Sequence, residues 1–132
     1  DATRAEWREA DVFEELRRLR EAGERFDIVI LDPPKFAPSA AHAERAARAY
    51  KDINMNGLRL LEPGGLLMTY SCSGGVGLEL FQKIVAGAAL DAGKRTGAGA
   101  RILQRLQGSA DHPVDLAFPE GEYLKGLLVE VD

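Results

Sequence analysis

Three groups of residues in this chain carry side chains able to do chemistry: Asp32-Pro33-Pro34, the thiol Cys72 between Ser71 and Ser73, and Asp11. In the first, two prolines stiffen the backbone, so the carboxylate and nearby carbonyls are held in one geometry at low entropic cost. A planar base can stack on such a turn with its polar edge towards Asp32. The plain alternative is a strand terminator with a solvated aspartate. Cys72 is the single cysteine. A free cysteine is often only a small core residue. This one falls at an expected strand end, ahead of a Gly-rich turn and a helix N-terminus, whose partial positive charge favours thiolate. That setting favours a nucleophile.

These groups need elements to carry them. Residues 5–10 alternate weakly and read as a short strand. Asp11 then caps a helix from about Val12 to Ala22, with Val12, Leu16 and Leu19 on one face and Gly23 ending it. Phe26-Asp27-Ile28-Val29-Ile30-Leu31 is the clearest strand, and its run of aliphatic residues predicts burial on both faces, as in a parallel sheet. A long helix follows from about His42 to Leu61, with Ala46, Tyr50, Ile53, Gly57 and Leu61 as its buried stripe. Leu66–Cys72 is the next strand. A helix over about Leu78–Ala92 buries Phe81, Ile84, Val85, Ala88 and Ala89. Arg101–Leu106 and Tyr123–Val131 are strands without a helix between them, so they pair antiparallel. Strands alternating with helices predict an α/β, mostly parallel sheet that ends in an antiparallel C-terminal hairpin. In such sheets ligands bind beyond the C-terminal ends of the strands. Asp11, Asp32 and Cys72 all arrive at that rim.

Composition narrows the classes. The chain has 132 residues, 45% hydrophobic and 29% charged, with a formal charge of −4. That is ordinary for a folded domain and argues against disorder. One cysteine permits no intrachain disulfide and no zinc site of the usual kind, and His42 and His112 lack metal-ligand spacing. No apolar run approaches the roughly 18 residues of a membrane span. A cytoplasmic setting is expected. Gly74-Gly75-Val76-Gly77 matches neither nucleotide-loop pattern and reads as a turn. The arginines on the helices read as solvated faces of an acidic protein. The chain opens on Asp1 and its first methionine is Met55, so it is expected to be an internal or C-terminal piece of a longer protein.

Five motifs in order then carry a resemblance: Asp32-Pro33-Pro34-Lys35-Phe36, Tyr50-Lys51-Asp52-Ile53-Asn54, Ser71-Cys72-Ser73-Gly74, Asp111-His112-Pro113, and Pro119-Glu120-Gly121 with Tyr123-Leu124-Lys125-Gly126. Together they resemble the C-terminal half of the bacterial large-subunit ribosomal RNA cytosine-C5 methyltransferases, class I enzymes dependent on S-adenosyl-L-methionine (SAM). The resemblance covers about the whole chain. It implies an incomplete Rossmann-like sheet of family order 3-2-1-4-5-7-6. Residues 5–10 match the family's strand 3, Phe26–Leu31 its strand 4, the strand ending at Cys72 its strand 5, and the last pair its 6–7 hairpin. Residues 1–132 are then the C-terminal portion of the methyltransferase domain, without strands 1 and 2 and without the N-terminal RNA-binding PUA domain. Strand 3 would lack a neighbour, so the start is expected to be disordered or to borrow contacts from a second copy in a homodimer.

The same resemblance implies roles. Cys72 would be the thiolate that adds to carbon-6 of cytosine. Asp32 would hold the base edge and stabilise the adduct. Asp11 and the backbone of Val12 would bind the adenine of SAM, with Asp32 and Pro33 also against the cofactor. Pro34, Lys35, Phe36, Ser71 and Ser73 would line the substrate pocket, and large-subunit ribosomal RNA would be the partner. Lys35 stands where related enzymes carry a second cysteine, which leaves the base that removes the carbon-5 proton unassigned. Two rivals remain at this stage: an amino-group methyltransferase, for which Asp-Pro-Pro needs no thiol, and a non-catalytic fragment.

Overall fold

The computed structural model describes residues 4–36, 40–93, 99–106 and 124–132. Among the described residues three helices and four strands follow in the order α1 Val12–Glu21, β1 Phe26–Leu31, a short 3-10 turn Ala40–His42, α2 Ala43–Arg59, β2 Leu61–Ser71, α3 Leu78–Asp91, β3 Ala100–Leu106 and β4 Lys125–Val131. The sheet order is β1-β2-β4-β3. β1 and β2 run parallel. β4 is antiparallel to both of its neighbours, β2 and β3. A parallel sheet closed by an antiparallel hairpin is the expected arrangement, and the order corresponds to 4-5-7-6 of the resemblance.

The helices follow their apolar stripes. α2 buries Ala46, Tyr50, Ile53 and Gly57, and α3 buries Phe81, Ile84, Val85, Ala88 and Ala89. The core lies between these helices and one sheet face, where Leu67, Thr69 and Ser71 alternate on β2 and Leu127, Val129 and Val131 on β4. A buried polar pair crosses this layer: the Thr69 hydroxyl donates to Asn54 Oδ1 at 2.6 Å, and Asn54 Nδ2 donates to the Tyr50 carbonyl at 2.8 Å. Both polar side chains are thereby satisfied inside an apolar layer, where an unpaired group costs on the order of 1–3 kcal/mol.

Four expectations need correction. Residues 5–10 form no strand, and Trp7 is 92% exposed. A strand needs a neighbour to take its backbone hydrogen bonds, and the described residues offer none. β1 is not buried on both faces: Leu31 is 5% exposed, but Ile28 is 55% and Ile30 61% exposed. All three helices flank the core face, and β1 is an edge strand, so its outer side chains meet no layer. α2 ends at Arg59 with Leu60 as its cap, and Leu61 opens β2 instead of closing the helix. Phe26 pairs with Leu61 and Ile28 with Leu66, so Glu62-Pro63-Gly64-Gly65 loops out of the ladder, with Gly64 at φ +82°. Lastly, β2 stops at Ser71, and Cys72 sits on the turn just beyond it. The expected loop residues Asp111, His112 and Pro113, the Phe118-Pro119-Glu120-Gly121 segment and Tyr123 lie outside the described residues.

Gly126 is required by close approach. A Cβ there would lie 2.6 Å from the Tyr70 ring and 3.1 Å from Leu106 Cβ. Tyr70 pairs directly with Gly126 across β2 and β4, and its ring fills the space over the glycine. Gly126→Ala is expected to destabilise the chain by about 1–3 kcal/mol through overpacking, read as a lower melting temperature by circular dichroism. An unchanged melting temperature would show that the ring gives way freely.

Candidate active site

The parallel register of β1 and β2 places the chemistry. Ile30 pairs with Met68 and Leu31 with Thr69, so the turn after Leu31 lies beside the end of β2. Cys72 is half-buried, and its sulfur faces the Pro33 carbonyl oxygen at 3.9 Å, the reach of a weak thiol hydrogen bond. Asp32, Pro34 and Lys35 are exposed on the same turn, while Pro33 is buried. Across this rim, β4 begins at Lys125, which pairs with Ser71, and its ammonium donates to the Ser73 carbonyl at 3.0 Å.

Ser73 ties three elements together. Its hydroxyl accepts from the Phe36 N–H at 3.0 Å and shares a 2.5 Å hydrogen bond with the Tyr50 hydroxyl. Ser73 N–H reaches the Ser71 hydroxyl at 3.3 Å. The ring of Phe36 packs edge-on against Tyr50 at 4.8 Å between centroids and at 6.0 Å from Phe13, and Tyr50 continues the stack to Phe81. Three of the expected substrate contacts bond or pack within the protein. Ser71 and Ser73 are fully buried, and their hydroxyls are engaged inside the protein. Phe36 spends its ring on the core and anchors the Asp-Pro-Pro-Lys turn to α2. Pro33, expected against the cofactor, is packed inward, and its carbonyl is turned to Cys72. The exposed Asp32, Pro34 and Lys35 remain on the open side.

Asp11 caps α1 as the sequence predicts. Its Oδ1 accepts from the N–H groups of Phe13 at 2.9 Å and Glu14 at 3.2 Å. Both cap bonds land on Oδ1, which leaves Oδ2 for a donor from a ligand, and Val12 opens the helix beside it with an N–H that no helical carbonyl can take. A carboxylate oxygen and an adjacent N–H suit an amine next to a ring nitrogen, the edge that adenine presents. Asp11 and Val12 stand at the same end of the layer as Phe36, through the Phe13–Phe36 contact.

Lys125 is the residue that sequence reasoning left without a role. Burial lowers its pKa from the ordinary lysine value, and the Cys72 sulfur, within electrostatic reach, opposes that shift. Its signal in the sequence was only its place in the last motif, because a side-chain contact across 52 positions is not a local pattern. Among the described residues no group of three or more His, Cys, Asp or Glu is placed to hold a metal ion. None of the described helices is long and apolar enough to cross a membrane.

Sheet order and rim together define the C-terminal half of a Rossmann-like fold of the class I methyltransferase type. Solved structures share it: a methyltransferase complexed with SAH superposes with a TM-score of 0.69 at 23% identity, over 92% of this chain and 30% of that one. A methyltransferase homologue from Pyrococcus horikoshii gives 0.57 at 18% identity, over 87% and 42%. At these identities the likeness establishes the fold alone.

Sequence similarity is much stronger. The chain is similar to proteins named ribosomal RNA large subunit methyltransferase I: 55% identical to that of Shewanella amazonensis over 93% of this chain and 30% of the relative, 59% to that of Aeromonas salmonicida over 90% and 29%, and 53% to that of Vibrio cholerae over 97% and 31%. The chain thus spans about a third of the length of these relatives. No family model matches it.

Proposed function

We propose that this chain is the C-terminal portion of a SAM-dependent methyltransferase that methylates carbon-5 of a cytosine in large-subunit ribosomal RNA, with Cys72 as the covalent nucleophile. The observation that supports this reading is the half-buried Cys72 sulfur at 3.9 Å from the Pro33 carbonyl, beside an exposed Asp32. Names of relatives at 53–59% identity support the ribosomal RNA substrate and the methyl transfer.

The chemistry follows from the target. Carbon-5 of cytosine is a poor nucleophile. Addition of the Cys72 thiolate to carbon-6 turns the 5,6 double bond into an enamine-like system with electron density at carbon-5. SAM, when bound, supplies an electrophilic methyl group on a sulfonium. Asp11 and Val12 would hold its adenine edge. Asp32 would hold the polar edge of the ring by accepting from its exocyclic amino group. Loss of the carbon-5 proton then restores the double bond and expels Cys72 as thiolate.

An amino-group methyltransferase uses the same Asp-Pro-Pro geometry but touches no carbon–hydrogen bond. Full-length protein acting on large-subunit RNA labelled with tritium at cytosine carbon-5 separates the two. C5 methylation releases one tritium for each methyl transferred. Methyl transfer without tritium release would end the C5 reading.

A further inference from the structure

The strand β4 brings a cation to Cys72 from the side opposite the Asp-Pro-Pro turn. Ser71 pairs with Lys125 in the β2–β4 ladder, and the Lys125 ammonium donates to the Ser73 carbonyl at 3.0 Å. Cys72 is therefore bracketed: the residue before it is paired with Lys125 through the backbone, and the residue after it is held by the Lys125 side chain. We propose that Lys125 is a positioning residue for the Cys72 nucleophile: it fixes the turn that carries the sulfur and keeps a positive charge beside it, so that the thiolate form is stabilised. The inference deepens the proposed function and rests on Cys72 being the reacting thiol.

Other charges at the rim do not take this place. The turn after β1 brings Asp32, which opposes a thiolate, and Lys35, which is exposed. α3 brings Glu79, which points to solvent and pairs with Lys83 at 3.6 Å. α2 brings His42 at its head and Tyr50, whose hydroxyl is committed to Ser73. Lys125 alone among these groups is a half-buried cation with its ammonium bonded to the residue next to Cys72. Partial burial matters because the attraction between an ammonium and a thiolate is screened less there than at the surface. Burial also disfavours the lysine charge, and the nearby sulfur opposes that effect.

The test is the pH dependence of Cys72 alkylation by iodoacetamide in the full-length protein, followed on the Cys72 peptide by mass spectrometry. The thiolate is the reactive form, so the rate reports its population. Lys125→Met is expected to move the profile to higher pH and to slow alkylation at pH 7 about fivefold, whereas Lys125→Arg, which keeps the charge, restores the rate to within about twofold. A lysine that only clamps Ser73 would lower the melting temperature in Lys125→Met and leave the profile in place, which overturns the proposal. Should Lys125→Met fail to fold, the unmodified protein decides. Raising the salt to about 1 M shortens the Debye length to about 3 Å and is expected to shift the profile upwards. A profile that does not move with salt overturns the proposal. Neither readout needs RNA or SAM. A shifted profile without tritium release would therefore refute the C5 function alone, and tritium release with an unshifted profile would refute Lys125 alone.

Discussion

Cys72→Ala in the full-length protein is expected to lose C5 methylation by at least about 10³-fold, the scale of removing a covalent nucleophile. The fold should survive the change. The thiol is half-buried and makes one weak contact, to the Pro33 carbonyl at 3.9 Å, while the hydrogen bonds that hold the turn belong to Ser71, Ser73, Phe36 and Tyr50. SAM affinity should stay within about twofold, because Asp11 and Val12 lie on another element. Cys72→Ser is expected to be nearly as inactive, since a hydroxyl is far less ionised than a thiol at neutral pH. RNA carrying 5-fluorocytosine gives an independent readout. Fluorine at carbon-5 cannot leave as a proton, so the thioether adduct persists and migrates as a protein–RNA complex under denaturing conditions. The parent protein should form that complex and Cys72→Ala should not. Full methylation by Cys72→Ala would rule out the covalent route and favour the amino-group rival.

The helices were legible because their information is local. Stripes at three- and four-residue spacing marked Tyr50, Ile53, Phe81, Ile84 and Ala88 as buried, and the structure buries them all. Asp11 was legible as a cap for the same reason, since its partners are two and three residues away. The hairpin was legible from the missing crossover between its strands. Burial of β1 was not. The run Ile28-Val29-Ile30-Leu31 reads as an inner strand, and half of its apolar surface meets no layer. An aliphatic run does not by itself say which of a strand's two faces is covered, and among the described residues Ile28 and Ile30 meet no layer. The site divides in the same way. Asp-Pro-Pro and the cysteine could be read from residue type. The commitment of Ser73 to Tyr50 and Phe36, and the reach of Lys125, depend on pairings 23 to 52 positions apart. Nothing in short-range spacing distinguishes a serine that binds substrate from one that ties three elements together.

Asp32→Asn tests whether the aspartate does chemistry or merely ends a strand. Among the described residues Asp32 forms no hydrogen bond or ion pair, and it is exposed at the head of a turn whose stiffness comes from Pro33 and Pro34. Its charge contributes little to the fold, so the melting temperature should stay within about 2 °C. An exposed carboxylate next to two prolines, at the C-terminal end of a parallel strand, is also where a bound ring would present its polar edge. Asparagine keeps the shape and one acceptor oxygen but removes the negative charge. If the carboxylate holds the ring for attack by accepting from its amino group, the weaker neutral acceptor of asparagine lowers kcat, by about 10²–10³-fold, with a smaller change in KM. Adduct formation with 5-fluorocytosine RNA should slow by a similar factor, because the same addition step is measured. A strand terminator predicts the opposite pattern: unchanged kcat and unchanged trapping. A result of that kind would move the base-binding edge to Lys35 or to the turn carbonyls.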